Sequence, residues 1–424
     1  MTILEAEALS YRPATGSVAL FDAAVRDARA YDSETRTDTG RRIAFFLAHE
    51  QPHQIPHCAP IVNELSRSAR NIDIQIFVLG EANADLMEGF LSPSARKAVQ
   101  ITTLPTSHWV AALEMLIGQA APLRRIESLI RARRSLSQMD VIVGPATTFL
   151  MLKTHFGLRN TKFVYTGHGT GDRAVGFKRV IKKFDHVFVA GEKVKDRMLG
   201  EGIIREGQYS IVGYPKFSAV SFDEDEKLKL FNNNNPVILY NPHFDPNHSS
   251  WYRHGAQVLE LFSKLSQYNL IFAPHVMLFS RRVHAGVNPL GIRWRKSLKD
   301  RFKDCANIHV DTGSRRSIDM TYTRAADIYL GDGSSQVYEF IARPRPCIFL
   351  NSHKIVWKNN ANFAHWNFGQ VLNDPSQLED TLENIACFET IYRSRQESAV
   401  QKTFGENIDQ SAKLAANALL NLLA

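Results

Sequence analysis

DIYLGDGSSQVYEFIA, residues 327–342, reads as a strand, a tight turn and a helix. Residues 328–330 are a short apolar run, Gly331-Asp332-Gly333 breaks it, and Val337, Phe340 and Ile341 then recur at helical spacing. The glycines let the backbone approach a ligand closely, and Asp332 or Ser334 can cap the first turn. The N–H groups of Ser334, Ser335 and Gln336 are expected to face outward with the positive end of the helix dipole. Such a turn suits a phosphate, and it equally suits an ordinary capped helix after a strand. Its neighbours distinguish the two readings.

On either side the chain alternates strand and helix. IAFFLAH, residues 43–49, is a nearly continuous apolar strand of the kind buried on both faces of a parallel sheet. A helix over 59–70, a strand over 73–79 and a helix-rich stretch to residue 137 follow, then strands over 140–144, 162–165, 187–190 and 209–212. Helices are expected up to about residue 156, directly after GHGTGDR (167–173), and over 193–199. The second half restarts with strands over 237–240, 270–273, 308–310, 328–330 and 347–350, helices over 256–266 and 318–325, and helical pieces from residue 375. This βα alternation predicts two Rossmann-like halves. DEDEKLKLFNNNN, residues 223–235, is the best interdomain linker and puts a boundary near 225. The organisation is then a lead-in over 1–40 with one amphipathic helix over 18–31, a first half over 41–225, and a second half over 226–424 that includes the terminal helices.

At 424 residues the chain is too long for one ordinary core. It is 44% hydrophobic and 22% charged, with no apolar run of membrane-spanning length and no secretory signal, so a cytoplasmic site of action is expected. Cys58, Cys305, Cys347 and Cys387 form no C-x-x-C pair and are expected as buried thiols, not as a zinc site or a disulfide framework. The net charge of +8 favours nucleotides, phosphorylated polymers or an anionic inner membrane face as partners; nucleic acid is not among those expected.

In an open α/β sheet the ligand crevice lies beyond the carboxyl ends of the strands. His49, His168, His243, His275 and Asp332 all stand just after predicted strands, so they are expected to converge on one cleft. His49-Glu50-Gln51-Pro52-His53 matches H-E-x-x-H, but Pro52 and Pro56 interrupt the continuous helix that a zinc protease needs, so no metal is expected there. With His57 it forms a His-rich loop, suited to acceptor binding or to plain surface exposure. In GHGTGDR, Gly167, Gly169 and Gly171 leave His168 exposed, and a near-neutral imidazole suits removal of a proton from an attacking hydroxyl. Asp172 either orients that histidine on the acceptor side or caps the next helix. The run 178–183, KRVIKK, suits a helix on an anionic membrane surface or a solvated face.

In order and spacing, GHGTGDR, GYPK (213–216), IFAPH (271–275) and IYLGDGSSQVYEFIA resemble motifs of the CDP-glycerol glycerophosphotransferase family, the GT-B-fold enzymes of teichoic-acid-type polymer synthesis. The resemblance covers about residues 140–350 and implies two Rossmann-like domains with a nucleotide cleft between them. It places a base or phosphate contact on His168 and a pyrophosphate contact on His275. Gly333, Ser334 and Ser335 would form a diphosphate cradle, with Asp332 and His243 beside the donor and Glu339 on the nucleotide ribose. The chain departs from the family pattern at NPHFDP (241–246) and at Val276 after His275. The implied reaction moves a glycerophosphoryl or related group from a CDP-activated donor to a hydroxyl of a lipid-linked or polymeric acceptor, without a cofactor. A GT-B glycosyltransferase using a nucleotide-sugar for cell-envelope polysaccharide, capsule or glycolipid would present the same cradle, and so would a non-catalytic nucleotide sensor.

Overall fold

The computed structural model describes residues 40–50, 52–68, 71–117, 123–219, 229–287, 290–406 and 408–424. The helix expected over 18–31 and residues 223–228 of the expected linker lie outside them.

The apolar runs become two parallel sheets. The first holds Arg41–Leu47 (β1), Ile72–Leu79 (β2), Val99–Leu104 (β3), Val141–Gly144 (β4), Lys162–Tyr165 (β5), His186–Val189 (β6) and Tyr209–Ile211 (β7), in the order 3-2-1-4-5-6-7. The second holds Val237–Asn241 (β8), Asn269–Phe272 (β9), Ile308–Val310 (β12), Ile328–Gly331 (β13), Cys347–Leu350 (β14) and Gln370–Leu372 (β15), in the order 12-9-8-13-14-15. Numbered within its own half, the second sheet repeats the 3-2-1-4-5-6 order of the first. That is the doubly wound arrangement. Between β9 and β12 an antiparallel hairpin, Val283–Val287 (β10) with Leu290–Trp294 (β11), stands apart from both sheets.

Strand β1 shows why its sequence is apolar throughout. Ile43, Phe45 and Leu47 pack into one core layer, while Ala44, Phe46 and Ala48 pack into another on the opposite face. Each large side chain so buried contributes roughly 1.5–3 kcal/mol over an exposed one. The second sheet is likewise buried on both faces, with Leu239 and Tyr329 on one side and Ile238, Leu330 and Ile348 on the other.

Several contacts join the halves. The turn at Gly213 has a φ of 76° and lies so close to Ser411 that a Cβ would meet its Oγ at 2.2 Å. The next residue, Tyr214, donates its N–H to that same Oγ. From there Ser411–Leu423, the last helix, returns to the first half, where Ala415, Ala416 and Leu419 pack beneath β1. Arg315 lies over the ring of Phe90, and Arg281 reaches Glu114 at 3.9 Å.

Several expectations are revised. Val99–Leu104 is an edge strand inside a stretch expected to be helical, because its alternating Val, Ile and Thr pair along β2. After GHGTGDR the chain makes two 3-10 turns, Ala174–Gly176 and Arg179–Lys183, instead of an α-helix. In the second of these Ile181 is fully buried, so KRVIKK does not form an amphipathic membrane helix. Cys58 and Cys347 are buried, but Cys305 is half-buried and Cys387 exposed. No helix among the described residues is long and apolar enough to cross a membrane.

Candidate active site

The strand order reverses between β1 and β4 in the first sheet and between β8 and β13 in the second. A doubly wound sheet opens its crevice at that reversal, where neighbouring crossovers pass to opposite faces. The loops leaving these strands carry the histidines, and the two halves bring them face to face.

Five imidazoles form a connected series. His53 lies 5.1 Å from His49, 5.6 Å from His168 and 5.8 Å from His275 between ring centroids, and His275 lies 5.3 Å from His243. His49 and His168 come from the first half, His243 and His275 from the second. His53 occupies the centre. Burial pushes His53 and His243 well below the ordinary histidine value and brings His275 to about 3, and each neighbouring imidazole or cation adds to the shift. His168 is lowered in the same direction, chiefly by the enclosing protein, while its surface stays open to the gap. His53, His168, His243 and His275 are therefore held toward their neutral form.

Hydrogen bonds fix two of the tautomers. His168 Nδ1 lies 3.0 Å from the carbonyl oxygen of Pro145, which can only accept, so Nδ1 carries the proton and Nε2 carries the lone pair. His275 Nδ1 accepts the N–H of Met277 at 3.2 Å, so its Nε2 carries the proton. Nε2 of His168 accepts and Nε2 of His275 donates. His49 Nε2 receives Arg125 at 2.7 Å, and Arg125 also pairs with Glu50 at 3.0 Å. That grip, and the break between the His49 loop and the 3-10 turn bearing His53, take HEQPH out of the helical H-E-x-x-H geometry. Among the described residues no three His, Cys, Asp or Glu side chains gather at metal-holding spacing.

The carboxylates divide by their partners. Asp172 does not face His168. It accepts Tyr338 OH at 2.8 Å, Lys193 at 3.1 Å, and both the backbone N–H (2.9 Å) and Nδ1 (3.0 Å) of His365. Although burial alone would raise this carboxyl, His365 and Lys193 hold it well below the usual carboxylate range. Asp332 does not cap the helix after it. Its fully buried carboxylate accepts the N–H groups of His243, Ser250 and Gly333 and the Ser250 hydroxyl, tying the β8 loop to the end of β13. Burial raises its pKa, offset in part by those donors. Glu339 shares Oε1 between Tyr214 OH at 2.9 Å and Lys216 at 2.7 Å, while its buried Oε2 meets no protein partner.

Gln336–Ile341, the helix after the glycine turn, is only six residues long, so its dipole is weaker than the sequence suggested. Ser334 is buried and Ser335 exposed. The two glycine motifs meet here: a Cβ on Gly171 would lie 2.9 Å from Ser335 Cβ, and one on Gly169 3.4 Å from Ser335 Oγ. At Gly171 a side chain would collide with the turn, whereas at Gly169, and at Gly333 facing His248 at 3.4 Å, it would make close contact without a clash.

Sequence reasoning missed the residues that hold this arrangement. Arg173 crosses from the first half to His243 (3.0 Å) and Asp245 (3.0 Å) of NPHFDP. His365 bridges Asp172 to the carbonyl of Asp332 at 3.0 Å, and Trp366 donates to the same carbonyl at 2.8 Å. The dense aromatic run NFAHWNF was the available signal.

Two doubly wound domains facing each other across a cleft define the GT-B class. Solved structures of similar architecture align over nearly the whole chain. The wall teichoic acid polymerase TagF, in a form soaked with CDPG, gives a TM-score of 0.60 at 14% identity and covers 94% of this chain and 93% of its own. The UDP-GlcNAc 2-epimerase of Neisseria meningitidis, bound to UDP-GlcNAc, gives 0.57 at 13% identity over 90% and 100%. The glycotransferase of kitacinnamycin gives 0.56 at 11% identity over 91% and 100%. At these identities the likeness establishes the fold. No protein-family model matches the chain, and no curated protein matches it in sequence.

Proposed function

We propose that this protein is a nucleotide-activated transferase of cell-envelope polymer synthesis that moves a glycerophosphoryl or related polyol-phosphate group from a CDP-activated donor to an acceptor hydroxyl. The observation that carries the reading is the pair of opposite tautomers, an accepting His168 and a donating His275, with His53 between them. His168 Nε2 takes the proton of the attacking hydroxyl. The new bond joins the acceptor oxygen to the phosphorus bearing the polyol, the phosphoanhydride bond breaks, and its electron pair leaves with CMP. His275 Nε2–H, with the turn N–H groups of Ser334 and Ser335, steadies charge on the departing phosphate, while the Gly333 N–H is held by Asp332. Glu339 Oε2 is left for a hydroxyl of the donor, and Asp332, Asp172 and His243 shape the site from behind. His49, held by Arg125, lines the acceptor side. The motif order and the TagF likeness both favour a CDP-polyol donor over a nucleotide-sugar. A lipid-linked or polymeric acceptor would place the enzyme on the inner face of the cell membrane.

The test is nucleotide release by purified protein given CDP-glycerol, CDP-ribitol and a panel of UDP-, GDP- and CDP-sugars, beside His168→Ala. CMP from a CDP-polyol, lost in the variant, is the expected outcome. UDP or GDP release would make the protein a glycosyltransferase, and nucleotide binding with no release from any donor would make it a sensor.

A further inference from the structure

The second sheet ends at β15, two strands beyond the β8–β13 reversal that opens the cleft. Beside this edge strand lies a cavity of about 350 Å³, a size that suits a small ligand. None of the residues lining it belongs to the imidazole cluster or to the glycine turn. Three segments build it: residues 357–358 after β14, the 3-10 segment Ala361–Phe368 running into β15, and the long helix Ile385–Phe404.

Its walls are aromatic. Trp357 and Trp366 meet at 65° with ring centroids 6.0 Å apart, and Tyr392 adds a third ring from the helix. The N–H of the buried Trp366 is spent on the Asp332 carbonyl, so this indole offers the cavity only carbon. Trp357 and Tyr392 are half-buried and keep part of their surface open. Between these rings stand the amides of Asn367, Gln370 and Asn373. Each amide pairs a donor with an acceptor, the same combination that a hydroxyl presents in return.

The charged groups at the cavity are Lys358 and Arg395, both exposed. No carboxylate lines the cavity, and neither cation makes an ion pair among the described residues. Arg395 lies 5.6 Å over the ring of Tyr392, three positions earlier on the same helical face. Asp374, next in the chain to Asn373, is engaged elsewhere: its carboxylate accepts the Ser376 N–H at 2.8 Å and caps the turn Pro375–Gln377.

Aromatic carbon, amides facing outward and two cations without a counter-charge form the recognition set of a charged carbohydrate. A nucleotide needs a flat slot for its base, whereas indoles meeting at 65° enclose a corner. We propose that this cavity binds one unit of an anionic glycan, a phosphorylated or carboxylated sugar or polyol. Its carbon skeleton rests on the aromatic walls, its hydroxyls meet the three amides, and its charge lies between Lys358 and Arg395. Trp366 borders both places, lining the cavity while its N–H holds the carbonyl at the start of the donor turn. A polymeric acceptor gripped here would stay on the protein between transfers. That consequence rests on the proposed reaction; the binding does not.

The experiment is calorimetric titration of the full chain with oligomers of glycerol phosphate, with oligogalacturonate, with a neutral malto-oligosaccharide and with CMP. Expected is saturable binding of one or both anionic oligomers, weakened by salt, and none of the neutral one. Which anion binds identifies phosphate or carboxylate as the recognised group. Lys358→Glu/Arg395→Glu should weaken binding at least about tenfold, because two charge-assisted contacts become repulsive. Trp357→Ala should weaken it too, while His168→Ala/His275→Ala should leave it unchanged. The charge reversals lie on exposed side chains, so they test the site even where Trp357→Ala lowers the melting temperature. No saturable binding of either anionic oligomer at millimolar concentration overturns the proposal. So does equal affinity for the neutral oligomer, binding that the cavity variants leave intact, or CMP binding that Lys358→Glu/Arg395→Glu abolishes. CMP release plays no part in this titration, so its failure and the failure of the proposed transfer are read separately.

Discussion

The gap between the halves and the seam behind it use the same residue types in opposite ways. In the gap, His53, His168 and His275 approach one another without a carboxylate, and each is driven toward the neutral form. At the seam, His365 and Lys193 close on Asp172, and Lys216 and Tyr214 close on Glu339. Carboxylates gripped by cations and tyrosines from both halves hold the two domains in place. Groups with a nitrogen to spare, held neutral and poised between two walls, are equipped to move a proton.

Substitutions on the two sides should therefore fail differently. His168→Ala is expected to lower CMP release by about 10²- to 10⁴-fold with little change in thermal melting, since its ring borders open space and removing a general base costs this much. A loss of stability equal to that of the seam variants would erase the distinction. Glu339→Gln leaves Lys216, 4% exposed, without its anion, and should cost about 3 kcal/mol or more in denaturant unfolding. Asp172→Ala should cost about 3 kcal/mol, at the lower end for such pairs because the Lys193 side chain keeps 26% of its exposure and is partly screened.

The pH dependence separates the regions further. The folded pKa of Asp172 is depressed, so its stabilisation is present above the unfolded carboxyl value near 4 and is lost as the pH falls below it. The stability deficit of Asp172→Ala should accordingly shrink in acid, which chemical denaturation at several pH values would show. In the gap, His168 acts as a base in its neutral form. Because its pKa is lowered, the acid limb of the rate profile of the free enzyme should fall below the ordinary histidine value of 6.5, and a limb above it would count against His168 as the base. The smallest effect is expected from Arg179→Glu/Lys182→Glu, two exposed charges in the turn after GHGTGDR, with stability within about 0.5 kcal/mol of the parent in the same unfolding assay.

How much of this was legible in the chain depends on the range of the interaction. Continuous apolar runs such as 43–47 declared the buried parallel strands, because a strand covered on both faces has no polar period to hide. Placement of His49, His168, His243, His275 and Asp332 after strands followed from the same alternation. The edge strand Val99–Leu104, the short β15 and the hairpin were not expected, since a few residues of alternating pattern compete poorly with adjacent helical signals. Asp172 was read as orienting His168 or capping the next helix, and Asp332 as facing the ligand, because local sequence cannot show a partner such as His365, 193 positions away from Asp172.

By itself the sequence determined two βα halves, the strand-end positions of the histidines, and the glycine turns that allow close backbone approach, because each depends on neighbours within a few residues. Only the tertiary structure decided which nitrogen of His168 and His275 carries a proton, that Arg173 serves the opposite half, and that Ile292 and Trp294 remain in solvent. Those properties arise where distant segments meet, and hydrogen-bond partners and burial exist only once they have met.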